Sequence, residues 1–370
     1  MWDRIEPHLA DFGITRVAHL THLDRIGIPV HMAMRPAGRV LSSGSGKGTT
    51  ELASRVSACM EAIEQVYWES ERPAVRLETP EALARTGEAF VDPSELPVRR
   101  NAIGHEATPS AWLPLHDLVT GDAVWAPAET TCVTTGDGRA RAHRNMSSSN
   151  GLASGARVID AALSGVYEVV ERDAIALAAR LARPMQPPAS DVVDALLDRL
   201  RASDVGIELD DLTTDIGLPT VRAVIDGGDV GTNFVGYGTS SDGAHAAVRA
   251  ITEATQSRCI VIAGARDDIF DLERRASNRL GPTQALRSDS PDYQLAPGGS
   301  TGSTAGDLNE AIRRLQAAGL DRILIYRYTT DADPVQVVRV VVPGLEGYPG
   351  PHTAPGCRAL AHRHPEPLDA

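Results

Sequence analysis

Aromatic residues are scarce, at 4% of 370. A surface that stacks nucleobases needs several, so single-stranded nucleic acid is a poor partner for this chain. Positive charge is in deficit as well: 36 basic residues stand against 49 acidic ones, a formal charge of −13. That balance disfavours a phosphate-coating surface and docking on an anionic leaflet, so neither nucleic acid nor membrane is expected. The four cysteines, Cys59, Cys132, Cys259 and Cys357, make no Cys-x-x-Cys pair. They read as isolated thiols of a cytoplasmic protein rather than as a disulfide framework or a zinc ribbon. No apolar run approaches the roughly 20 residues of a membrane span. The charged start, MWDRIEPHLADFG, lacks the apolar stretch of a signal peptide.

Hydrophobic residues make up 42% of the chain, enough to bury a core. The length allows two or three domains or one large one. An acidic chain can still bind a polyanion such as ATP, but only through metal ions or a focused basic cluster.

Along the chain, ITRVAHLT and RIGIPVHMAM read as strands, followed by a Ser/Gly loop at 42–50 and a helix to about Glu71. Residues 72–110 show no clean period and read as an insertion or linker. AWLPLHDLVTGDAVWAPAETTCV reads as a hairpin about Thr-Gly-Asp. A second polar loop, 144–155, opens a helix to about Ala182. After a Pro-rich break, DVVDALLDRLRAS reads as a helix, and Ile207–Thr213 and Thr220–Ile225 as strands. A third Gly/Ser loop, 236–243, opens a helix to about Gln256, and CIVIAGA reads as a buried strand. Residues 276–305 read as mobile. Leu308–Ala318 is a helix, RILIYRYT and VQVVRVVVPG are strands, and a Pro/Gly/His-rich tail closes the chain. The domain expectation is one catalytic domain over 1–345 and a tail over 346–370.

A threefold echo organises the sequence. Each polar loop leads into a helix carrying a small residue and two oxygen-bearing side chains: Ala58, Glu61, Glu64; Gly165, Glu168, Glu171; Ala250, Glu253, Gln256. Another small residue, Ser54, Ala161 or Ala246, precedes each set by one further turn. Repeats of this kind imply a domain built by duplication, with helices packed through small-residue faces. Positions i and i+3 share one helix face, so each helix presents its pair side by side.

Two readings follow. One is three solvated acidic faces with ordinary salt bridges. The other is a site for hard divalent metal and phosphate, because Mg²⁺ takes oxygen ligands and arginine binds phosphate oxygens bidentately. Arg172, Arg258 and Arg266 stand close by in sequence. Ser43–Gly48 could cradle phosphate at a helix start, but no Ser or Thr follows Lys47, so it fails as a Walker loop. His19, His22 and His31 read as core or edge residues of strands. No Ser elbow and no Cys nucleophile pattern is present.

SGKGTTELASRVSACMEAIEQ, NGLASGARVIDAALSGVYEVVERDA and ATQSRCIVIAGARDD together resemble the YcaO superfamily, in the family's own order, over about residues 14–345. The resemblance implies an α/β fold of duplicated character with mixed sheets and three related helices around a central nucleotide site. It implies ATP and Mg²⁺ as cofactors, and phosphorylation of a backbone amide oxygen in a ribosomally made precursor peptide. On it, Glu61, Glu64, Glu168 and Glu171 are the metal ligands. Lys47, Ser57, Asn150, Arg172, Gln256, Arg258 and Arg266 contact the nucleotide, and Arg172, Arg266 and Glu253 serve catalysis. Asp160 stands where the family pattern leads one to expect Glu. VVRVVVPGLEGY and GITRVAHLTHLDRIGIPV look more like the branch found with TfuA proteins, which is linked to thioamides formed from sulfide. Azoline or macroamidine cyclodehydration and a non-catalytic accessory role are the alternatives. A TfuA-like helper and a homodimer are expected partners.

Overall fold

The computed structural model describes residues 1–70, 76–100, 102, 109–133, 144–264, 292–296 and 298–363. In chain order the elements are α1 (Trp2–Ile5), β1 (Arg16–His19), β2 (Val30–Met34), β3 (Ser43–Lys47), α2 (Glu51–Glu69), β4 (Arg76–Glu78), α3 (Pro80–Thr86), β5 (Ser110–Asp117), β6 (Ala123–Pro127), β7 (Leu152–Gly155) and α4 (Val158–Leu181). There follow β8 (Arg183–Pro184), α5 (Asp191–Ala202), β9 (Ile207–Asp211), β10 (Thr220–Ile225), β11 (Phe234–Thr239), α6 (Gly243–Ile262), α7 (Thr304–Ala317), β12 (Leu324–Arg327), β13 (Gln336–Val341) and α8 (Cys357–Arg363). The fold is mixed α/β. The chain divides into two units, Met1–Ile63 with Leu181–Thr213 and Leu218–Ser300, and Glu64–Arg180 with Thr214–Gly217 and Thr301–Ala370.

The first unit holds two antiparallel sheets, ordered β1-β2-β3 and β11-β10-β9-β8. Helix α5 buries Val193, Leu196 and Leu200, a stripe at helical spacing. With Ala250 and Ile251 of α6, these join one core over Leu209, Val221, Ala223 and Ile225 of the sheet. Each such Leu or Ile, fully buried, contributes about 1.5–3 kcal/mol.

Several expectations are corrected here. CIVIAGA is not a strand: α6 continues through it to Ile262 and ends at Ala263. Its Cys259 and Ile260 are apolar because the helix end is buried against Leu20, Val30 and Met32. A short continuous apolar run cannot by itself separate a buried strand from a buried helix end. The Ser/Gly loop at 42–50 is not wholly a loop either, since Ser43–Lys47 pairs with β2 in the register Met32↔Ser45. Likewise β7 lies within 144–155, and β11 supplies the start of 236–243. Glycine is a poor strand former, so pairing with another strand decided these segments. His22 lies in a short 3-10 turn, Thr21–Leu23, rather than in a strand.

The second unit has the sheet β4-β5-β12-β13-β7, with β6 paired to β5. The expected hairpin is present, in the register Leu113↔Ala126 and Leu115↔Val124. Leu115, Val124 and Ala126 bury with Leu324 and Val341. β13, between β12 and β7, is buried at every residue, which explains its nearly unbroken apolar run. The 72–110 segment carries β4 and α3. Helix α3 is only seven residues long, too short to show a period, but its ends are well marked. Thr79 caps the start by accepting from the Ala82 N–H, and Gly87 closes the end at φ 73°. Most of the 276–305 stretch lies outside the described residues. No helix among the described residues is long and apolar enough to cross a membrane.

Candidate active site

The threefold echo has a structural cause. β3, β7 and β11 are each the last strand of their sheet, and each leads into one of the three helices α2, α4 and α6. The helices lie so close that the strands need glycine. A Cβ on Gly46 would stand 2.1 Å from Ala58 N, and one on Gly44 would stand 2.5 Å from Ala62 N. On β11, Gly238 would meet the Ala246 carbonyl oxygen and Gly236 that of Ala250, both at 2.2 Å. Before α4, Gly155 would meet Ala161 N at 2.7 Å, while Gly165 of the helix itself approaches the Gly151 carbonyl oxygen. The small residues of the echo are thus the floor on which glycine strands rest. The acids occupy the neighbouring stripe of each helix.

In the first unit, Ser45 donates from N–H to Glu61 Oε2 at 2.9 Å and from its hydroxyl at 3.3 Å. Lys47 N–H reaches Ser57 Oγ at 3.4 Å. The same arrangement recurs on β11, where Tyr237 N–H donates to Glu253 Oε1 at 3.4 Å. Edge-strand N–H groups that no further strand would take are thereby satisfied by a helix side chain. Lys47 forms an ion pair with Glu253. Gln256 is buried one turn beyond Glu253. Arg258 is almost fully buried, donating to Asp24 Oδ2 and to the Gly227 carbonyl oxygen, each at 3.0 Å.

Glu64 is on α2 with Glu61 but belongs to the second unit. Its Oε1 accepts from the Ser154 hydroxyl of β7 at 2.5 Å. On α4, Glu168 is half-buried and Glu171 is buried. Arg172 lies 3.9 Å from Glu168 Oε1, with its guanidinium over the Tyr348 ring. Asp160 is bound by Arg157, at 2.7 and 3.0 Å, and these bonds lower its pKa. It therefore serves the first turn of α4. Arg266 lies outside the described residues.

Asn150 and Arg339 line a small cavity of about 50 Å³ together with Ser148, Thr130 and Glu346. That is room for a few waters and far too little for a nucleotide. Arg339 donates to the Ser148 carbonyl oxygen at 2.6 Å. Its Nε and Nη1, and Asn150 Oδ1, are buried and find no hydrogen-bond partner among the described residues. Buried polar atoms in that condition cost about 1–3 kcal/mol each unless a ligand or water takes them.

Another buried charge network went unseen in the sequence. Asp173, the residue after Arg172, is fully buried. Arg358 of α8 grips both its carboxylate oxygens at 3.0 Å, and the Glu346 N–H donates to Oδ1 at 3.0 Å. Glu346 in turn accepts from the N–H groups of Gly356 and Ala359, each at 2.8 Å. The only sequence signals were a charged residue inside the apolar stripe of α4 and the acid in PGLEG. We expect Arg358→Lys to lose the two-pronged grip and about 1.5 kcal/mol of stability, read by urea unfolding. An unchanged midpoint would show that the fork is not what holds Asp173.

Each of Glu61, Glu64, Glu168 and Glu171 offers carboxylate oxygens, the donor type that Mg²⁺ takes, at a half-buried or buried position. The orphaned Asn150 amide oxygen and Arg339 nitrogens are further polar groups that water or a small ligand can take up. Burial pushes the Cys59 thiol pKa up to about 11 and that of Cys259 up to about 12, so neither is a ready nucleophile.

Comparison with known proteins agrees with this chemistry. Residues 45–346 match the family described as YcaO cyclodehydratase, ATP- and Mg²⁺-binding. A protein of the tfuA 3′ region of Rhizobium leguminosarum bv. trifolii is 35% identical over 92% of this chain and 86% of its own length. The structure of YcaO from Methanopyrus kandleri bound with AMPPCP and Mg²⁺ superposes with a TM-score of 0.71 at 25% identity, covering 93% of this chain and 89% of that one. A heterocyclase solved with substrate and cofactor shares the fold, with a TM-score of 0.73 at 20% identity over 92% of this chain and 52% of its own. The match over residues 45–346, with a relative 35% identical over most of both chains, identifies the protein as a member of the YcaO family of ATP-dependent, Mg²⁺-binding enzymes.

Proposed function

We propose that this chain phosphorylates a backbone amide oxygen of a ribosomally made precursor peptide and that sulfide then attacks the activated carbon to give a thioamide. The observation that carries the thioamide reading is the 35% identity, over nearly the whole of both chains, to a protein of a tfuA region. A TfuA-like protein is the proposed helper, and the cytoplasm the compartment. The amide oxygen takes the γ-phosphoryl group of ATP and ADP leaves. Hydrosulfide adds to the carbon, and phosphate departs with the original oxygen.

Glu61, Glu64, Glu168 and Glu171 are the proposed metal ligands. These carboxylates would hold Mg²⁺, which would supply charge neutralisation for the transferred phosphoryl group. Asn150, Gln256, Ser57 and Lys47 orient the nucleotide, and Arg172 and Arg266 neutralise the phosphates; Arg258, expected beside the nucleotide on the resemblance, is instead buried and engaged by Asp24 and the Gly227 carbonyl oxygen. Glu253 holds Lys47 in place through their ion pair. Positioning and electrostatics supply most of the rate.

Azoline cyclodehydration is the second reading, favoured by the family's description and by the fold shared with a heterocyclase. Product mass separates the two, since exchange of oxygen for sulfur adds about 16 Da and dehydration removes about 18 Da. Purified chain, candidate peptide, Mg²⁺–ATP and sulfide, with and without the TfuA-like protein, make the assay. A gain of sulfur supports the thioamide reading, and a sulfide-independent loss of water overturns it in favour of the ring.

A further inference from the structure

The register of β1 and β2 sets His19 directly opposite His31. Directly opposed side chains on one sheet face are close neighbours, and here the two imidazoles stack at 4.7 Å with an interplanar angle of 12°. Glu51, the first residue of α2, reaches the same point. Its Oε2 lies 2.8 Å from His19 Nε2 and 3.8 Å from His31 Nδ1. One donor atom from each of the three residues lies within 4.8 Å of the others. His22 adds a third ring, edge-on to His19 at 5.1 Å.

The three donors differ in setting. His31 is buried, and the Ser54 hydroxyl at 2.7 Å from its Nδ1 fixes the ring. That bond engages the nitrogen nearest Glu51, so an ion ligated there would displace the hydroxyl. His19 and Glu51 are about half exposed, which leaves a solvent path for an ion. Donors placed about 2.1 Å from a tetrahedral centre stand roughly 3.4 Å apart. The two separations from Glu51 bracket that value, so small side-chain rotations bring the group to ligation distance.

We propose that His19, His31 and Glu51 bind a late first-row divalent cation, with zinc the best match. Two imidazoles and one carboxylate suit zinc, cobalt or nickel, whereas Mg²⁺ takes oxygen donors. Bound there, the ion joins the first turn of α2 to the β1–β2 hairpin, on the helix that carries Glu61. Three protein ligands leave one position open to water or another small ligand.

The test uses the full, untagged chain, stripped with chelator and held in excess Mg²⁺. Titration with cobalt is expected to give visible d–d bands of a four-coordinate site, and zinc to bind at one ion per chain and raise the unfolding temperature. His19→Ala and Glu51→Gln, both at exposed positions, should keep the fold and weaken zinc binding at least about 100-fold. Zinc binding of equal strength in both variants, or no cobalt bands in the parent chain, overturns the proposal.

Discussion

Peptide-dependent phosphate release is expected to fall about 10²–10³-fold in Glu61→Gln, with the unfolding midpoint unchanged. On the proposed reading Glu61 has two separable duties. Its Oε2 accepts from Ser45 N–H and hydroxyl, which closes the edge of β3. A glutamine carbonyl oxygen can accept the same two bonds, so the strand and helix stay together. What glutamine cannot supply is negative charge, and a hard cation loses far more from a neutral amide than a hydrogen bond does. The assay is phosphate release at saturating peptide across a Mg²⁺ titration. Partial recovery at high Mg²⁺ would place the loss in metal binding. Parent-like turnover at low Mg²⁺ would remove Glu61 from the ligand set.

Gly46→Ala is expected to cost roughly 3 kcal/mol or more, at or beyond the top of the usual overpacking range. The added carbon would stand 2.1 Å from Ala58 N and 2.2 Å from Ser54 O. Both are helix backbone atoms, so no side chain can swing aside. Either β3 leaves β2 or α2 lifts from β3, and each movement carries Glu61 away from Ser45. Activity should therefore fall along with stability, which separates this variant from Glu61→Gln. Gly299→Ala, where nothing lies within 4 Å, is the matched control and should change little. Urea unfolding and phosphate release of the pair decide the matter. Equal midpoints for both variants would mean that the close approach of strand and helix is not needed.

The two variants mark the boundary between local and tertiary information. Helical spacing is written within a few residues, so Ala58, Glu61 and Glu64, and their counterparts on α4 and α6, were visible as an echo. The same holds for the stripe of α5 and for the hairpin about Thr120–Asp122. The glycines were visible too, but their meaning was not. Gly44 and Gly46 have no strand preference of their own. They become a strand because β2 pairs with them, and they must be glycine because α2 passes within contact of their backbone.

Long-range partners account for the remaining surprises. Cys259–Ile262 of the CIVIAGA run is helix, its end covered by Leu20, Val30 and Met32. Asp173 is tolerable inside α4 only because Arg358 arrives from far along the chain. His19, His22 and His31 looked like separate strand residues, and only the β1–β2 register and the start of α2 gather them beside Glu51. Residue type and local period were enough to place the acids on shared helix faces and to show that they offer oxygen donors, while the order of the blocks and the choice of cation came from the family resemblance. Tertiary structure decided which N–H groups hold those acids, which loops are strands and which histidines meet. Each of these depends on a contact between residues remote in sequence, and no local pattern encodes such a pairing.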